Sequence, residues 1–348
     1  MQKTLALIFG GEGAERRISE ISAANTIDKI KEKIDLVTIG ITSSGDWLLF
    51  DGEPEKIANG EWINSNKLTP VFPARFDGVP GFYTKKGDRI EADIAFPVLH
   101  GDFGEDGIIQ GALRCAHIPY IGSDVLSSVV TSDKAFTKII AEYLDIPTLP
   151  WFIPCSQRKN EVRLEAEKRL GYPIFIKPRC LGSSIGAAPI YSRKDFYTAY
   201  DIANKASCGK VMIESLADVK AELEIALFDD GKMRFVSKPG VVYSSGKFYD
   251  FSAKYDKNES PAVKADAKLD RAVIRKARSF ARKISDFLGL GNISRIDFFL
   301  TASGELYFNE INSIPGLTET SLYPRLAELY GKFGGSFVEA LVDGELFR

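Results

Sequence analysis

The chain has 348 residues, of which 45% are hydrophobic and 26% are charged. This length exceeds one ordinary hydrophobic core, so we expect two or three domains. The net charge of −2 provides no basic field for nucleic acid, and no apolar run reaches the roughly 18 residues of a membrane span. The four cysteines are scattered, which disfavours disulfides and a zinc site and favours a reducing, cytoplasmic location. With only two histidines, a His-rich metal site is excluded.

The first third of the chain alternates predicted strands with helices. Apolar, β-branched runs predict three strands, at 5–9, 35–41 and 93–99. A helix should start near Ser19, and this alternation indicates an α/β domain with a parallel sheet covered on both faces. The turn-rich stretch 43–90 is expected to form excursions outside the core. A short strand at 118–121 should lead into a helix at 132–144.

The remainder of the chain has the pattern of an α+β protein. Predicted strands lie at 173–177, 211–214, 222–228, 234–239, 295–300 and 306–310. The clearest helix covers 268–288, because its apolar residues recur every three or four positions. Gly289 suits the C-terminal cap of this helix. The last two strands should form a hairpin through the turn at 302–304.

Polar side chains cluster at the end of this hairpin. Glu310 and Asn312 lie two residues apart on one strand, so they point to the same face, and Asp297 can meet them from the other strand. Carboxylate and amide oxygens are ligands that Mg²⁺ prefers when phosphates complete its shell. When these three residues are considered alone, a hairpin end exposed to solvent explains the pattern equally well. The apolar residues around it favour a buried magnesium site.

A lysine and a glycine-serine loop follow the strand at 173–177. Backbone N–H groups of the loop 182–186 can surround an anion, and Lys177 adds a positive charge, so the pair predicts phosphate binding. The spacing differs from the Walker motif, and a simple flexible turn remains an alternative.

Two further turns follow strands of the predicted parallel sheet. The glycines at 10–13 do not complete the dinucleotide fingerprint, since Arg16 occupies its third glycine position. Glu15 could hold an ammonium group there, although an acidic residue at a helix start is common. His100 follows the strand at 93–99 and should therefore reach the same sheet edge.

In this order, the motifs resemble the D-alanine–D-alanine ligases of the ATP-grasp superfamily almost from end to end. The resembling stretches are 9–19, 99–111, 122–134, 177–186, 249–255, 295–298 and 309–322. The resemblance implies an ATP-grasp fold with three domains, at 1–126, 127–213 and 214–348, and a lid loop at about 242–261. It also implies ATP-dependent joining of two D-alanines for peptidoglycan precursor synthesis, through a D-alanyl phosphate and a tetrahedral intermediate.

The resemblance assigns roles to individual positions. The implied ATP-binding residues are Lys134, Lys177, Ser183, Ser184, Glu214, Ser215, Leu216, Glu222, Lys254, Phe299, Asn309 and Glu310. Two Mg²⁺ or Mn²⁺ ions would be held by Asp297, Glu310 and Asn312. The implied substrate-binding residues are Glu15, Ile18, His100, Arg295, Gly316, Ser321 and Leu322. The implied catalytic residues are Glu15, Ser183, Tyr255, Arg295, Gly316 and Ser321. The family also implies a homodimer.

Several alternatives stay open. The stretches 40–47 and 96–100 resemble the D-alanine–D-serine ligases of vancomycin resistance, whereas Leu322 favours D-alanine as the second substrate. A D-lactate ligase is disfavoured by Tyr255. A non-catalytic ATP-grasp protein is disfavoured by the metal set, and a biotin-carboxylase-like subunit by the substrate residues. The chain departs from the family at 187–189, 214–220 and 301–303, which affects nucleotide contacts more than the reaction.

Overall fold

The computed structural model describes residues 3–30, 34–156, 158–243, 263–331, 333 and 336–345, and its strands form three sheets. The N-terminal sheet has seven strands in the order β6-β5-β4-β3-β2-β1-β7. Their bounds are β1 Thr4–Gly10, β2 Asp35–Ile41, β3 Trp47–Phe50, β4 Thr69–Phe76, β5 Val79–Thr84, β6 Arg89–Ile90 and β7 Ile94–Pro97. The helices of this region are α1 Arg16–Ile30, α2 Pro54–Asn59, α3 Ile108–Cys115, α4 Val125–Ser132 and α5 Lys134–Tyr143, with a 3₁₀ turn at Glu61–Asn64.

The parallel part of this sheet is confirmed, but it is limited to three strands. β1 lies between β2 and β7 and runs parallel to both. The prediction that 43–90 lies outside the core was wrong, because β3 to β6 extend the sheet as antiparallel hairpins. Their turn residues join short strands, while Phe50, Trp62 and Phe82 are buried. Burial of these aromatic side chains therefore packs the stretch 43–90 into the core, although its turns suggested that it lies on the surface.

Of two local predictions near the end of this region, the helix is confirmed to within two residues at each end and the short strand is wrong. The segment 118–121 forms no strand, and Tyr120 makes only an isolated bridge to Ala95. The helix predicted at 132–144 is the separate α5, which begins after a break at Asp133. The Asp133 carboxylate accepts a hydrogen bond from the Ala135 N–H at 2.9 Å, so it caps α5. This cap fixes the start of the helix and thereby the position of Lys134.

A second, smaller sheet is entirely antiparallel, with the order β10-β9-β11-β8. Its strands are β8 Trp151–Phe152, β9 Ile174–Pro178, β10 Ala188–Ile190 and β11 Val211–Ser215. Helices α6 Lys159–Arg169 and α7 Arg193–Ala206 contribute buried side chains, including Val162 and Phe196, to the same hydrophobic core as this sheet.

The third sheet carries the predicted hairpin. Its strands are β12 Val219–Asp229, β13 Arg234–Val236, β14 Gly240–Tyr243, β15 Val263–Lys264, β16 Ile293–Thr301 and β17 Leu306–Asn312. Its helices are α8 Arg271–Leu288, α9 Leu322–Tyr330 and α10 Phe337–Glu345. Gly289 ends α8 with φ of 60°, as the sequence predicted. The domain limits at 126 and 213 remain predictions.

The N-terminal and C-terminal parts share one hydrophobic core. Leu5 and Phe96 of the first sheet belong to the same buried cluster as Tyr323 of α9 and Val338 of α10. Within the described ranges, none of the helices combines the length and apolar character that crossing a bilayer would require.

We expect Gly291→Ala to destabilise the protein. A Cβ atom at position 291 would lie 2.0 Å from the Gly122 carbonyl oxygen, so two backbone segments would have to separate. Overpacking of this kind costs about 1–3 kcal/mol. The measurement is the free energy of unfolding in urea.

Gly111→Ala is the matched control, because a Cβ at that position in α3 meets nothing within 4 Å. Alanine is preferred to glycine in a helix by about 1 kcal/mol, so this variant should be as stable as wild type or more so. Equal stability of the two variants would contradict the close approach at Gly291.

Candidate active site

A cavity of about 500 Å³ lies between the second and third sheets. All described members of the predicted ATP-binding set line this cavity, namely Lys134, Lys177, Ser183, Ser184, Glu214, Ser215, Leu216, Glu222, Phe299, Asn309 and Glu310. Lys254, Tyr255 and most of the predicted lid loop fall outside the described residues. The structure thus brings together side chains from five separate stretches of sequence.

Lys134 connects α5 to both walls of the cavity. Its Nζ donates a hydrogen bond to the Leu181 carbonyl oxygen at 2.8 Å and lies 3.2 Å from Glu310 Oε2. Burial alone would lower the pKa of Lys134, but the Glu310 carboxylate outweighs that effect and raises the pKa. The lysine is therefore a fixed positive charge at the cavity wall.

Lys177 and Glu214 form an ion pair between the neighbouring strands β9 and β11. Lys177 Nζ lies 2.6 Å from Glu214 Oε1, and both side chains are buried. Burial would raise the pKa of Glu214, but the ammonium groups of Lys138 and Lys177 lower it to about 2. Burial lowers the pKa of Lys177, and the Glu214 carboxylate partly offsets this change. Glu214 is thus ionised at neutral pH.

The glycine-serine loop adopts a left-handed backbone at three positions. Ser183, Ser184 and Gly186 have φ values of 51°, 59° and 69°. Non-glycine residues rarely adopt this conformation, so the surrounding structure has to stabilise it. One such contact is the hydrogen bond that Ser183 Oγ donates to the Glu15 carboxylate. The turn after β1 and the loop after β9 therefore meet.

Two glycines make room for the Glu15 carboxylate. A Cβ atom would lie 2.4 Å from Glu15 Oε2 at Gly101 and 3.1 Å from it at Gly182. Ile18 follows on the half-buried first turn of α1 and its N–H donates to the Glu15 carbonyl at 2.9 Å. Glu15 is therefore enclosed by turns from three different segments.

The hairpin brings its polar residues together as the sequence predicted. Asp297 lies directly opposite Glu310, and Arg295 lies opposite Asn312. A register shift between Asp297 and Phe298 leaves Asn309 as an extra residue in β17. This bulge is consistent with Asn309 facing the cavity, where its Oδ1 lies 3.5 Å from Lys177 Nζ.

Arg295 is held by two carboxylates. Its Nε and Nη2 donate hydrogen bonds to Asp297 Oδ1 and Oδ2 at 2.9 and 2.7 Å. Glu224 Oε2 lies 3.3 Å from Arg295 Nε. Sequence reasoning missed Glu224, although it lies two residues after Glu222 on one strand and so shares its face. Burial would lower the pKa of Arg295, but the two carboxylates raise it well above its usual value.

The oxygen atoms of Asp297, Glu310 and Asn312 could bind Mg²⁺ only together with further oxygen ligands. Asn312 Nδ2 donates to Asp297 Oδ2 at 3.1 Å, and Glu310 lies on the same hairpin. No group of three or more His, Cys, Asp or Glu side chains in the described ranges could hold a metal ion. Magnesium is commonly bound by one or two carboxylates together with substrate phosphates, which fits this set.

A chain of hydrogen bonds links α1 to the segment before α9. His100 Nδ1 lies 3.1 Å from the Ile314 carbonyl oxygen, and its Nε2 lies 3.1 Å from Ser22 Oγ. Burial lowers the pKa of His100 to about 4, so the neutral ring must donate from Nδ1 and accept at Nε2. Ser22 Oγ in turn accepts from the Leu317 N–H at 3.3 Å. Both ring nitrogens are engaged, which favours a positioning role for His100 over direct substrate contact.

This chain of hydrogen bonds flanks two residues of the predicted substrate set. A Cβ atom at Gly316 would lie 2.9 Å from Ser321 Oγ, so these residues are neighbours. Ser321 Oγ also lies 2.8 Å from Thr318 Oγ1. Leu322 is only 4% exposed and belongs to the hydrophobic core, where it contacts Gly240. Its assignment to the second substrate remains a prediction.

Glu105 is a second residue that sequence reasoning left without a role. Its two oxygens accept hydrogen bonds from the N–H groups of Gly101 at 3.0 Å and Ile314 at 3.2 Å. Burial, and then the nearby Glu15 carboxylate, raise the pKa of Glu105 to about 7. The signal available in the sequence was its place in the stretch 104–107, which begins four residues after His100.

Comparison with known families gives end-to-end matches. The family described as D-ala D-ala ligase N-terminus matches residues 4–123, and the one described as D-ala D-ala ligase C-terminus matches residues 140–343. A D-alanine–D-alanine ligase of Ruminiclostridium cellulolyticum is 38% identical, covering 98% of this chain and 95% of that protein. One from Clostridium acetobutylicum is 33% identical, covering 99% and 98%.

Solved structures give the same picture. The VanG D-Ala:D-Ser ligase from Enterococcus faecalis superposes with a TM-score of 0.88 at 32% identity, covering 99% of this chain and all of that one. The D-alanine–D-alanine ligase from Coxiella burnetii superposes with a TM-score of 0.85 at 25% identity, covering 100% and 94%.

We expect Glu105→Gln to change how stability depends on pH. The unfolded chain releases the Glu105 proton near its ordinary pKa of 4.5, whereas the folded protein retains it up to about pH 7. The stability from this shift is full below pH 4.5 and is lost as the pH rises to 7. Between pH 5 and 8, the free energy of unfolding of wild type should fall by roughly 2 kcal/mol relative to the variant. This figure is smaller than the pKa shift alone would give, because the Glu105 side chain is partly exposed to solvent.

The measurement is urea unfolding of both proteins at a series of pH values. The difference between the two curves reports on Glu105 together with the carboxylate of Glu15, to which it is coupled. Parallel curves would show that the Glu105 pKa is not raised.

Proposed function

The chain belongs to the D-alanine–D-alanine ligase family, and we propose that it joins two D-alanine molecules at the expense of ATP for peptidoglycan precursor synthesis. It is an ATP-dependent ligase with the ATP-grasp fold of that family. The observation that carries the residue-level proposal is the convergence of Lys134, Lys177 and Glu310 on one cavity. A cytoplasmic location, where ATP is available, is part of the proposal.

The first step we propose is attack of a D-alanine carboxylate on the γ-phosphate of ATP, which forms D-alanyl phosphate and releases ADP. Phosphoryl transfer depends mainly on positioning and on neutralising charge, and Lys134 and Lys177 supply positive charge to the cavity. Glu15 would bind the ammonium of this first D-alanine. Ser183 donates a hydrogen bond to Glu15 and thereby orients it.

The second step we propose is attack of the amine of the second D-alanine on the acylphosphate carbonyl. Negative charge then develops on the carbonyl oxygen, and Arg295 with the Gly316 N–H would stabilise it. One donor of this kind is worth about 3–4 kcal/mol. Phosphate leaves as the tetrahedral intermediate collapses. Ser321, a neighbour of Gly316, would contact the second D-alanine.

We propose that Asp297, Glu310 and Asn312 hold Mg²⁺ or Mn²⁺ together with the nucleotide phosphates. A bound ion would neutralise phosphate charge. In the protein alone, Arg295 and Lys134 pair with Asp297 and Glu310. These cations hold the carboxylates in place.

A D-alanine–D-serine ligase is the second candidate. The observation in its favour is the TM-score of 0.88 with the VanG D-Ala:D-Ser ligase, above the 0.85 of the Coxiella burnetii enzyme. The apolar Leu322 beside Ser321 supports D-alanine, since D-serine adds a hydroxyl that needs a hydrogen-bond partner.

We further propose that the enzyme is a homodimer. Large apolar side chains are exposed along α4, α5 and the end of α8, namely Leu126, Val129, Phe136, Ile139, Tyr143 and Phe287. The α5 members recur at intervals of three and four, so they form one stripe. The rings of Tyr143 and Phe287 lie 5.6 Å apart, so the stripe continues onto α8. Exposed apolar surface of this kind marks a protein interface.

We expect wild type to release ADP only when D-alanine and Mg²⁺ are both present. Glu310→Ala should lower this rate on the order of 100-fold or more, because it removes a ligand to phosphate-bound metal and the partner of Lys134. The measurement is a coupled assay of ADP release, with mass spectrometry of the product.

Glu305→Ala is the matched control, since Glu305 is exposed in the turn of the same hairpin and its loss should leave the rate unchanged. ADP release without stimulation by D-alanine would contradict the ligase proposal. Addition of D-serine to the same assay distinguishes the two candidates, because a mixed dipeptide as main product would favour the second.

We expect Ile139→Asp to convert the dimer into a monomer. A charged side chain in the middle of the stripe would have to be desolvated on association. The measurement is molar mass by light scattering during size-exclusion chromatography. Ile202→Asp, at an exposed position on α7 away from the stripe, should leave the mass unchanged. A wild-type protein that is monomeric at micromolar concentration contradicts the proposal.

A further inference from the structure

Lys138 is a fully buried lysine to which the proposed mechanism gives no role. It lies on α5, four residues after Lys134, and its relative exposure is 0%. Lysine is almost never fully buried unless it is paired, because desolvation of a cation is costly. The partner is Glu214, whose Oε2 lies 3.0 Å from Lys138 Nζ. The sequence offers no hint of this pair, since 76 residues separate the two positions.

Lys138 and Glu214 form a buried ion pair in which the ammonium meets one oxygen of the carboxylate. Burial alone would raise the pKa of Glu214, but the ammonium groups of Lys138 and Lys177 lower it. The other oxygen of Glu214, Oε1, lies 2.6 Å from Lys177 Nζ. One carboxylate is therefore shared between two lysines. We name Lys138, Glu214 and Lys177 the buried triad.

The net charge of the buried triad decides what Lys177 can do. Two lysines and one carboxylate sum to +1, whereas Lys177 and Glu214 alone would sum to zero. A neutral pair presents little attraction to phosphate, and transfer of Lys177 to an anion would leave Glu214 buried without a counter-ion. Breaking a buried pair in that way costs about 3–5 kcal/mol. Lys138 supplies a counter-ion for Glu214 that stays in place.

We propose that Lys138 is a positioning residue for nucleotide binding, which balances Glu214 so that the charge of Lys177 remains available to the phosphates. Lys138 acts through Glu214 and Lys177, because only these two members of the buried triad line the cavity. The inference rests on the proposed function, since it takes this cavity to bind ATP.

The test uses Lys138→Met, which keeps the length of the side chain and removes its charge. Binding of ATP and of inorganic tripolyphosphate is measured directly by titration calorimetry on the whole protein. Tripolyphosphate lacks the base, so it reports on the phosphate region alone. We expect the dissociation constants of both ligands to rise at least about tenfold, because the net charge of the buried triad falls from +1 to zero.

The double variant Lys138→Met/Glu214→Gln separates this role from a merely structural one. It restores the net charge of the buried triad to +1, since Lys177 remains without a carboxylate partner in the triad. Tripolyphosphate should then bind as tightly as in wild type. A structural role for Lys138 predicts lower thermal stability of Lys138→Met, with unchanged tripolyphosphate affinity of the folded protein. If the single variant fails to fold, the double variant is compared with Glu214→Gln, in which the buried triad has a net charge of +2. Tripolyphosphate should bind more tightly to Glu214→Gln than to the double variant, and equal affinities would overturn the role of Lys138.

Lys56→Met is the matched control, because Lys56 is an exposed lysine on α2 and outside the cavity. It should bind both ligands like wild type. Wild-type affinity in Lys138→Met, or affinity in the double variant as weak as in the single one, overturns the role of Lys138. Failure of wild type to bind ATP at all would instead overturn the proposed function.

Discussion

Each buried cation that the structure describes around the cavity is balanced by a carboxylate from another part of the chain, and the site depends on this balance. Lys134 of α5 pairs with Glu310 of β17, so one ion pair joins the helix before the second sheet to the third sheet. Lys177 pairs with Glu214 across neighbouring strands. A buried cation without a partner would cost several kcal/mol, so charge balance constrains the packing of these segments as strongly as apolar contacts do.

The same balance prepares the cavity for anions. Lys134, Lys177 and Arg295 already have their orientation before a nucleotide binds, because a carboxylate holds each of them. Arg295 is the clearest example, since its guanidinium forms ion pairs with both Asp297 and Glu224. If Asp297 engages a metal ion, Glu224 remains to hold the guanidinium. Preorganised charge of this kind avoids reorganisation during the reaction, which is where electrostatic catalysis gains most.

Local patterns in the sequence predicted the elements that depend on local physics. The meeting of Asp297 with Glu310 follows from the predicted hairpin, and the end of α8 follows from Gly289, whereas the bulge at Asn309 was not predicted. The strands between residues 47 and 90 were missed because their turns outweigh short apolar runs, while burial of Trp62 and Phe82 becomes visible only in the folded sheet. Lys138 and Glu224 were missed for a related reason. Their partners are distant in sequence, and a buried charge has no local signature.

The N-terminal part does more than supply Glu15. Ser22 and His100 hold the segment 314–317 through a chain of hydrogen bonds. Each group in this chain has a fixed role as donor or acceptor, because His100 is neutral. Asn25 adds a hydrogen bond from Nδ2 to the Leu317 carbonyl oxygen at 2.6 Å. Hydrogen bonds thus hold the carbonyl of Ile314 and the peptide groups on both sides of Leu317, and the Gly316 N–H lies between these fixed points. Glu15 lies in the turn directly before α1, so the same part of the chain places Glu15 and holds the segment around Gly316.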